Sequence, residues 1–208
     1  MKNLDAISET IRAELTARDR ARETLLPLSR DAIRYCSQSI RAIHRQEFDS
    51  AVSQLAQARS LITRAAQAID NNPELGASGA LKDAQKELAE GNITLAIIKG
   101  EDLPTPAELG VDGAAFLNGM GEAVGEVRRY LLDGLRRGDL SRGEELLAAM
   151  DDIYSILVTF DYPDAVTGGL RRTTDMVRGV LERTRSDLTL TIQQKRLEEK
   201  LESFRPES

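Results

Sequence analysis

An all-α fold is what the sequence predicts, on three observations. Apolar residues recur every three or four positions through nearly all of its 208 residues. No stretch alternates with the period of two that a half-buried strand requires. Pro, Gly and Asn gather in short segments such as "DNNPELGASG", which separate the helical runs. The expected architecture is a single-domain antiparallel helical bundle of about six to seven helices over residues 1–208, with a frayed tail from about residue 203.

Each element has its own signal. Residues 3–46 carry Leu4, Ile7, Ile11 and Leu15 on one stripe, and the pattern resumes with Leu26, Ile33, Ile40 and Ile43. Pro27 lies between the two halves and predicts a kink or break, because proline removes an intrahelical donor. A second helix is expected from Phe48 to Ile69, with Val52, Leu55, Ile62, Ala66 and Ile69 on one stripe. A third, from about Ala80 to Ile98, follows the first clear loop. Thr105 is placed to cap a short helix opening at Pro106. Asp112 or Gly113 opens a glycine-rich helix that Gly138 and Asp139 end. Ser141 with Glu144 three residues on is a capping-box pattern and predicts a helix to about Thr159. After "FDYP", a last helix is expected from about Asp164 to Leu201, with Leu170, Val177, Leu181, Leu188 and Ile192 as its apolar positions.

Composition narrows the chemistry. Charged residues make up 30% of the chain and apolar residues 41%, the balance of a folded soluble protein. A net charge of −6 supplies no overall pull toward nucleic acid, so any such binding needs a local basic patch. The lone Cys36 forms no internal disulfide and reads as a small buried apolar residue. With a single His44 beside it, a zinc site of nitrogen and sulfur ligands cannot be built within one chain. No signal-peptide pattern opens the chain, and no apolar run approaches the ~20 residues of a membrane span. A cytoplasmic location is expected, with acid–base and metal chemistry left to carboxylates.

Two pairs of carboxylates stand out. Glu87 and Glu90 lie three apart in "QKELAEGNITLAIIKG", and Glu122 and Glu126 four apart in "FLNGMGEAVGEVRRY". Each pair shares a helical face. Like charges at such spacing repel mildly, and a divalent cation between the pairs would turn that repulsion into attraction. The alternative is a solvated helix face, the reading that fits Glu144–Glu145 and Glu198–Glu199. Asp83, one turn before Glu87, is either an outer carboxylate or a solvent-facing charge. What distinguishes the four glutamates is their apolar and glycine-rich surroundings. Gly113, Gly119, Gly121 and Gly125 each weaken a helix by about 1 kcal/mol relative to alanine. They imply close helix packing, backbone clearance beside the glutamates, or both.

Over nearly its whole length the chain resembles the translin family, and within it the translin-associated factor X and archaeal translin-like proteins. "RETLLPLSRDAIRYCSQSIRAIHR" resembles the family's opening helix. "AFLNGMGEAVGEVRRYLLDGLRRGD" resembles its central helix, and "FDYPDAVTGGLRRTTDMVRGVLERTRSDL" its last long one. The resemblance implies an endoribonuclease acting on single-stranded RNA, with single-stranded DNA as a further ligand. It implies Mg²⁺, or Mn²⁺, held by acidic residues of two helices. It also implies a homo-oligomeric shell, an octamer, that can include a second translin-family subunit. Matching the family's E-x-x-E helix and D-x-x-G-E segment residue by residue places metal binding and catalysis on Glu87, Glu90, Glu122 and Glu126. Glu122 stands where the catalytic factor has Asp, one methylene shorter, and Mg²⁺ is strict about geometry.

A polyanion also needs cations. Arg128, Arg129, Arg136, Arg137, Arg171 and Arg172 are candidates, with Arg41 and Arg45, beside Arg34 and His44, on the first long helix. For each alone, an ordinary solvated or ion-paired side chain is the alternative. No Trp and few Tyr or Phe are present, so stacking platforms for bases are scarce and backbone-dominated, salt-sensitive binding is expected. Two readings stand beside the nuclease: a non-catalytic nucleic-acid-binding oligomer, and a structural helical protein whose carboxylates are surface decoration.

Overall fold

The computed structural model describes residues 3–77 and 79–203, and no strand occurs among them. In chain order the helices are α1 (Leu4–His44), α2 (Phe48–Gln67), α3 (Gly79–Lys99), α4 (Pro106–Leu109), α5 (Gly113–Arg136), α6 (Gly143–Leu157), α7 (Asp164–Thr167) and α8 (Leu170–Ser203), with a 3₁₀ turn at Pro73–Ala77. Six of these are long; α4 and α7 are single turns. The "FRPES" tail predicted to fray lies beyond the described residues apart from its approach at Ser203. The chain divides into two compact units, Met1–Asn92 with Pro104–Phe116, and Ile93–Leu103 with Leu117–Ser208. Helices α3 and α5 contribute residues to both.

In the first unit α1 and α2 form a helical hairpin. The chain turns at Gln46, whose φ of 61° is the left-handed conformation that ends a helix. The Glu47 amide donates to the Ala42 carbonyl at 2.9 Å and closes the turn. The core is built from Leu25, Ala32, Cys36 and Ile43 of α1, Leu55, Ala58 and Ile62 of α2, and Leu81, Ala84 and Leu88 of α3, all buried. Three sequence expectations change here. Helix α1 runs through Pro27 without breaking. Leu25, Ser29 and Ala32 are buried on both sides of that proline, and their burial offsets a local cost of roughly 3 kcal/mol. Helix α2 buries Ala51, Leu55, Ala58, Ile62 and Ala65, whereas Val52 is 49% exposed. Alanines admit α1 more closely than a branched stripe would. Leu4, Ile7, Ile11 and Leu15, periodic as they are, are not core residues but exposed ones.

The second unit packs α6 and α7 against α8, with Val124, Val127, Leu131, Met150, Leu157, Leu170, Val177 and Leu188 buried. A buried polar junction ties its elements: the Asn118 amide donates to the Thr167 carbonyl at 2.8 Å, and the Thr173 hydroxyl donates to Asn118 Oδ1 at 2.7 Å. The capping box expected at Ser141 does not form. The Ser141 amide and hydroxyl both donate to Asp139 Oδ1, and α6 begins at Gly143 instead. The last helix also starts later than its periodicity suggests. Gly168 and Gly169, with φ of 64° and 88°, break the chain between α7 and α8, a conformation glycine adopts at little cost.

Candidate metal centre and nucleic-acid interface

Each unit carries one carboxylate pair. In the first, Glu87 and Glu90 lie on α3 between fully buried Ala84, Leu88 and Ala89, so that face of the helix meets the core and the two side chains are half-buried. Their neighbour on α1 is Cys36. Its thiol pKa is pushed up to about 12, first by burial and then by the negative charges of Glu87 and Glu90. The expected character of Cys36, a buried apolar residue, holds: it is 1% exposed. Asp83 is exposed and belongs to the solvated face.

In the second unit, Glu122 and Glu126 lie on α5 beside buried Ala123, Val124 and Val127 and are likewise half-buried. The glycines around them divide into two kinds. A Cβ at Gly121 would overlap the Thr173 methyl, so helix packing requires that glycine. A Cβ at Gly125 would meet nothing within 4 Å, so there the backbone borders open space beside the glutamates. By contrast Glu144, Glu145, Glu198 and Glu199 are all exposed, the ordinary solvated face expected of them.

The arginines fall into distinct settings. Arg128 turns inward, with its side chain only 20% exposed; it donates to Thr184 Oγ1 at 2.8 Å and to Asp187 Oδ2 at 2.7 Å. Arg129 is exposed and stands 3.7 Å from Glu126. Arg136 is exposed and lies 3.4 Å from Asp133. Arg137, Arg171 and Arg172 are exposed. On α1, Arg41 donates to its own helix at the Ser37 carbonyl, and Arg45 forks onto Glu47 with bonds of 2.9 and 2.8 Å. That fork raises the Arg45 pKa and lowers that of Glu47. Sequence reasoning passed over Arg142, which lies at the start of α6. Its guanidinium donates to the Ile97 carbonyl at 3.1 Å and to that of Ile98, satisfying orphan acceptors at the end of α3. A separation of 44 residues leaves no local signal for that contact.

Comparison with known proteins bears on what this arrangement does. No family model matches the chain. The uncharacterized protein MJ0175 of Methanocaldococcus jannaschii is 32% identical over 193 residues, which cover 90% of this chain and 83% of that protein. Among solved structures, the AfC3PO–duplex RNA complex is 36% identical with a TM-score of 0.83, over 89% of this chain and 96% of that one. The chain belongs to the translin family. The crystal structure of AfC3PO itself is 35% identical with a TM-score of 0.80, over 89% of this chain and 97% of that one. Apo-NeC3PO, 19% identical over 92% of this chain and 98% of its own, shares the fold with a TM-score of 0.77. These likenesses bear out the translin-like all-α fold. Among the described residues, no helix is long and apolar enough to cross a membrane.

Proposed function

We propose that this translin-family chain binds RNA as a homo-oligomer, an octamer in form, and cuts single-stranded RNA with Mg²⁺. The observation that carries the reading is the pair of half-buried glutamates in each unit, at helical spacing, in a chain of this family. Ordinary surface glutamates are solvated, whereas these four are half-buried beside buried apolar residues. The donor set is all carboxylate oxygen, which suits Mg²⁺ or Mn²⁺ and not a thiophilic metal. Glu87, Glu90, Glu122 and Glu126 would hold the ion. When bound, it would activate the attacking water and offset charge building on the phosphate. Arg129, 3.7 Å from Glu126, would hold the scissile phosphate. Exposed Arg136, Arg137, Arg171 and Arg172 would grip the rest of the backbone. A relative solved with duplex RNA supports RNA as the polyanion.

The test is cleavage of a labelled single-stranded RNA with Mg²⁺ against EDTA, by the wild type and by Glu122→Gln with Glu126→Gln. Products that need Mg²⁺ and disappear in the double variant are expected. Equal cutting by that variant rejects the assignment. A second reading, RNA binding without catalysis, is favoured by one residue: by the family resemblance, Glu122 stands in place of the Asp of the catalytic factor. It calls for a salt-sensitive gel shift with no metal-dependent product, and restored cutting by Glu122→Asp would identify the extra methylene as the cause.

A further inference from the structure

The second unit holds an apolar cavity that involves none of the residues assigned above to metal or RNA. It lies where the end of α3 and the loop after it meet α5 and α6, and its volume is about 350 Å³. Small-ligand sites span roughly 300–1,000 Å³. Ile97, Leu146 and Ile153 are buried and line it, with Met120 beside them. Leu103 and Ile156 also line it while 40% and 52% exposed, so its mouth opens to solvent. Two of its walls are tied together. Arg142, at the start of α6, donates to the Ile97 and Ile98 carbonyls at the end of α3, and forks onto Glu145 with bonds of 3.0 and 2.6 Å. The space is preformed, and water within apolar walls finds few partners there.

Charge selects the ligand. Every charged residue lining the cavity is a carboxylate: Glu101, Glu145 and Asp152. Two of these are offset by cations outside the lining, Lys99 at 2.5 Å from Glu101 and Arg142 at 2.6 Å from Glu145. On α6, Asp151 pairs with Arg185 at 3.0 Å. Asp152, next to it, makes no ion pair or hydrogen bond among the described residues.

We propose that this cavity binds a small organic amine, with its carbon body between α3, α5 and α6 and its ammonium at the mouth beside Asp152. The apolar body supplies most of the affinity through surface removed from water. The ammonium stays partly hydrated, because Asp152 is exposed, and so escapes the cost of a buried charge. A neutral ligand of the same skeleton gains only the apolar part. An anionic one meets three carboxylates. An exposed pairing of this kind favours the amine over the neutral ligand by about two- to fivefold, and salt reduces that preference.

The test uses phenylbutylamine, phenylbutanol and phenylbutyrate, which share one carbon skeleton, titrated into the full chain with isotope-labelled isoleucine methyl groups. The methyl signals of Ile97, Ile153 and Ile156 are expected to shift with the amine at the lowest concentration, the alcohol next and the acid last. Asp152→Asn should leave binding in place but level amine and alcohol. Ala149→Phe, or Ala149→Leu should the larger ring unfold the chain, fills the cavity and should abolish the shifts while helical content is retained. Alcohol bound as tightly as amine by the wild type, or an amine preference that survives Asp152→Asn, overturns the choice of ligand. Shifts that persist in the filled variant, or their absence with all three probes, overturn the site itself. None of these outcomes touches the RNA reading, which involves other residues.

Discussion

Arg128 and Cys36 show how single residues divide between structure and chemistry. Arg128 gives its charge to Asp187 and a further bond to Thr184, both on α8. Truncating it leaves half-buried polar atoms without their donor. Arg128→Ala is therefore expected to cost about 1.5–3 kcal/mol in urea denaturation, the range for a bond to a charged group. Arg128→Lys should recover part of that loss but not the fork. Cys36 carries a different signature. Burial, helped by Glu87 and Glu90, raises its thiol to about 12 in the folded chain from an ordinary value of 9.0. The folded state thus holds the proton more tightly than the unfolded one. Its contribution to stability is complete below pH 9 and is lost as pH rises toward 12. Cys36→Ala should accordingly lose less stability over that window than the wild type in parallel denaturation curves. Native protein should also resist thiol alkylation at pH 8.5 until denaturant is added. The burial of Cys36 was legible in its lone occurrence within an apolar helix. The partner of Arg128 was not, because it lies 59 residues along the chain.

Among the helices, α5 is the most informative, since its glycines make opposite predictions. Gly121→Ala gains about 1 kcal/mol of helix propensity but drives a methyl into Thr173, a β-branched side chain with little freedom to yield. Net destabilisation of about 1–2 kcal/mol is expected from overpacking. Gly125→Ala meets open space and should stabilise by up to about 1 kcal/mol. If Gly125 provides clearance for RNA beside Glu126, the same variant will bind or cut RNA less well while melting higher. Thermal melts and the cleavage assay together separate the two roles. The existence and order of the long helices were legible because 3.6-residue periodicity repeats over many turns. Local rules failed where tertiary contacts prevailed. Pro27 sits inside an unbroken helix, Ser141 bonds to Asp139 rather than capping α6, and Val52 yields the interior to alanines. The N-terminal stripe is periodic without being core, since periodicity reports a face and not what covers it. For the candidate site, the two carboxylate pairs were legible from spacing and family resemblance, whereas the anchoring of Arg128 and Arg142 was not.

For the molecule as a whole, the governing quantity is charge: a chain of net −6 is proposed to hold a polyanion. Its overall field repels RNA, so affinity must come from local arginines close enough to displace counterions. Counterion release makes log K fall linearly with log salt, with a slope of about −0.7 per phosphate neutralised on a single strand and about −0.9 on a duplex. Arg136→Gln with Arg137→Gln removes two exposed cations of the second unit. The slope should become shallower by about 1.4 on single-stranded RNA, or by about 1.8 on duplex RNA. Arg45→Gln should change it less, because Glu47 already takes both arms of that guanidinium. Titrating both forms of RNA with the same variants decides which is the proper ligand. The family resemblance points to single strands, while a solved relative holds a duplex. A slope that stays the same in the Arg136 and Arg137 variant would remove those residues from the interface, leaving Arg129, Arg171 and Arg172 to account for any binding.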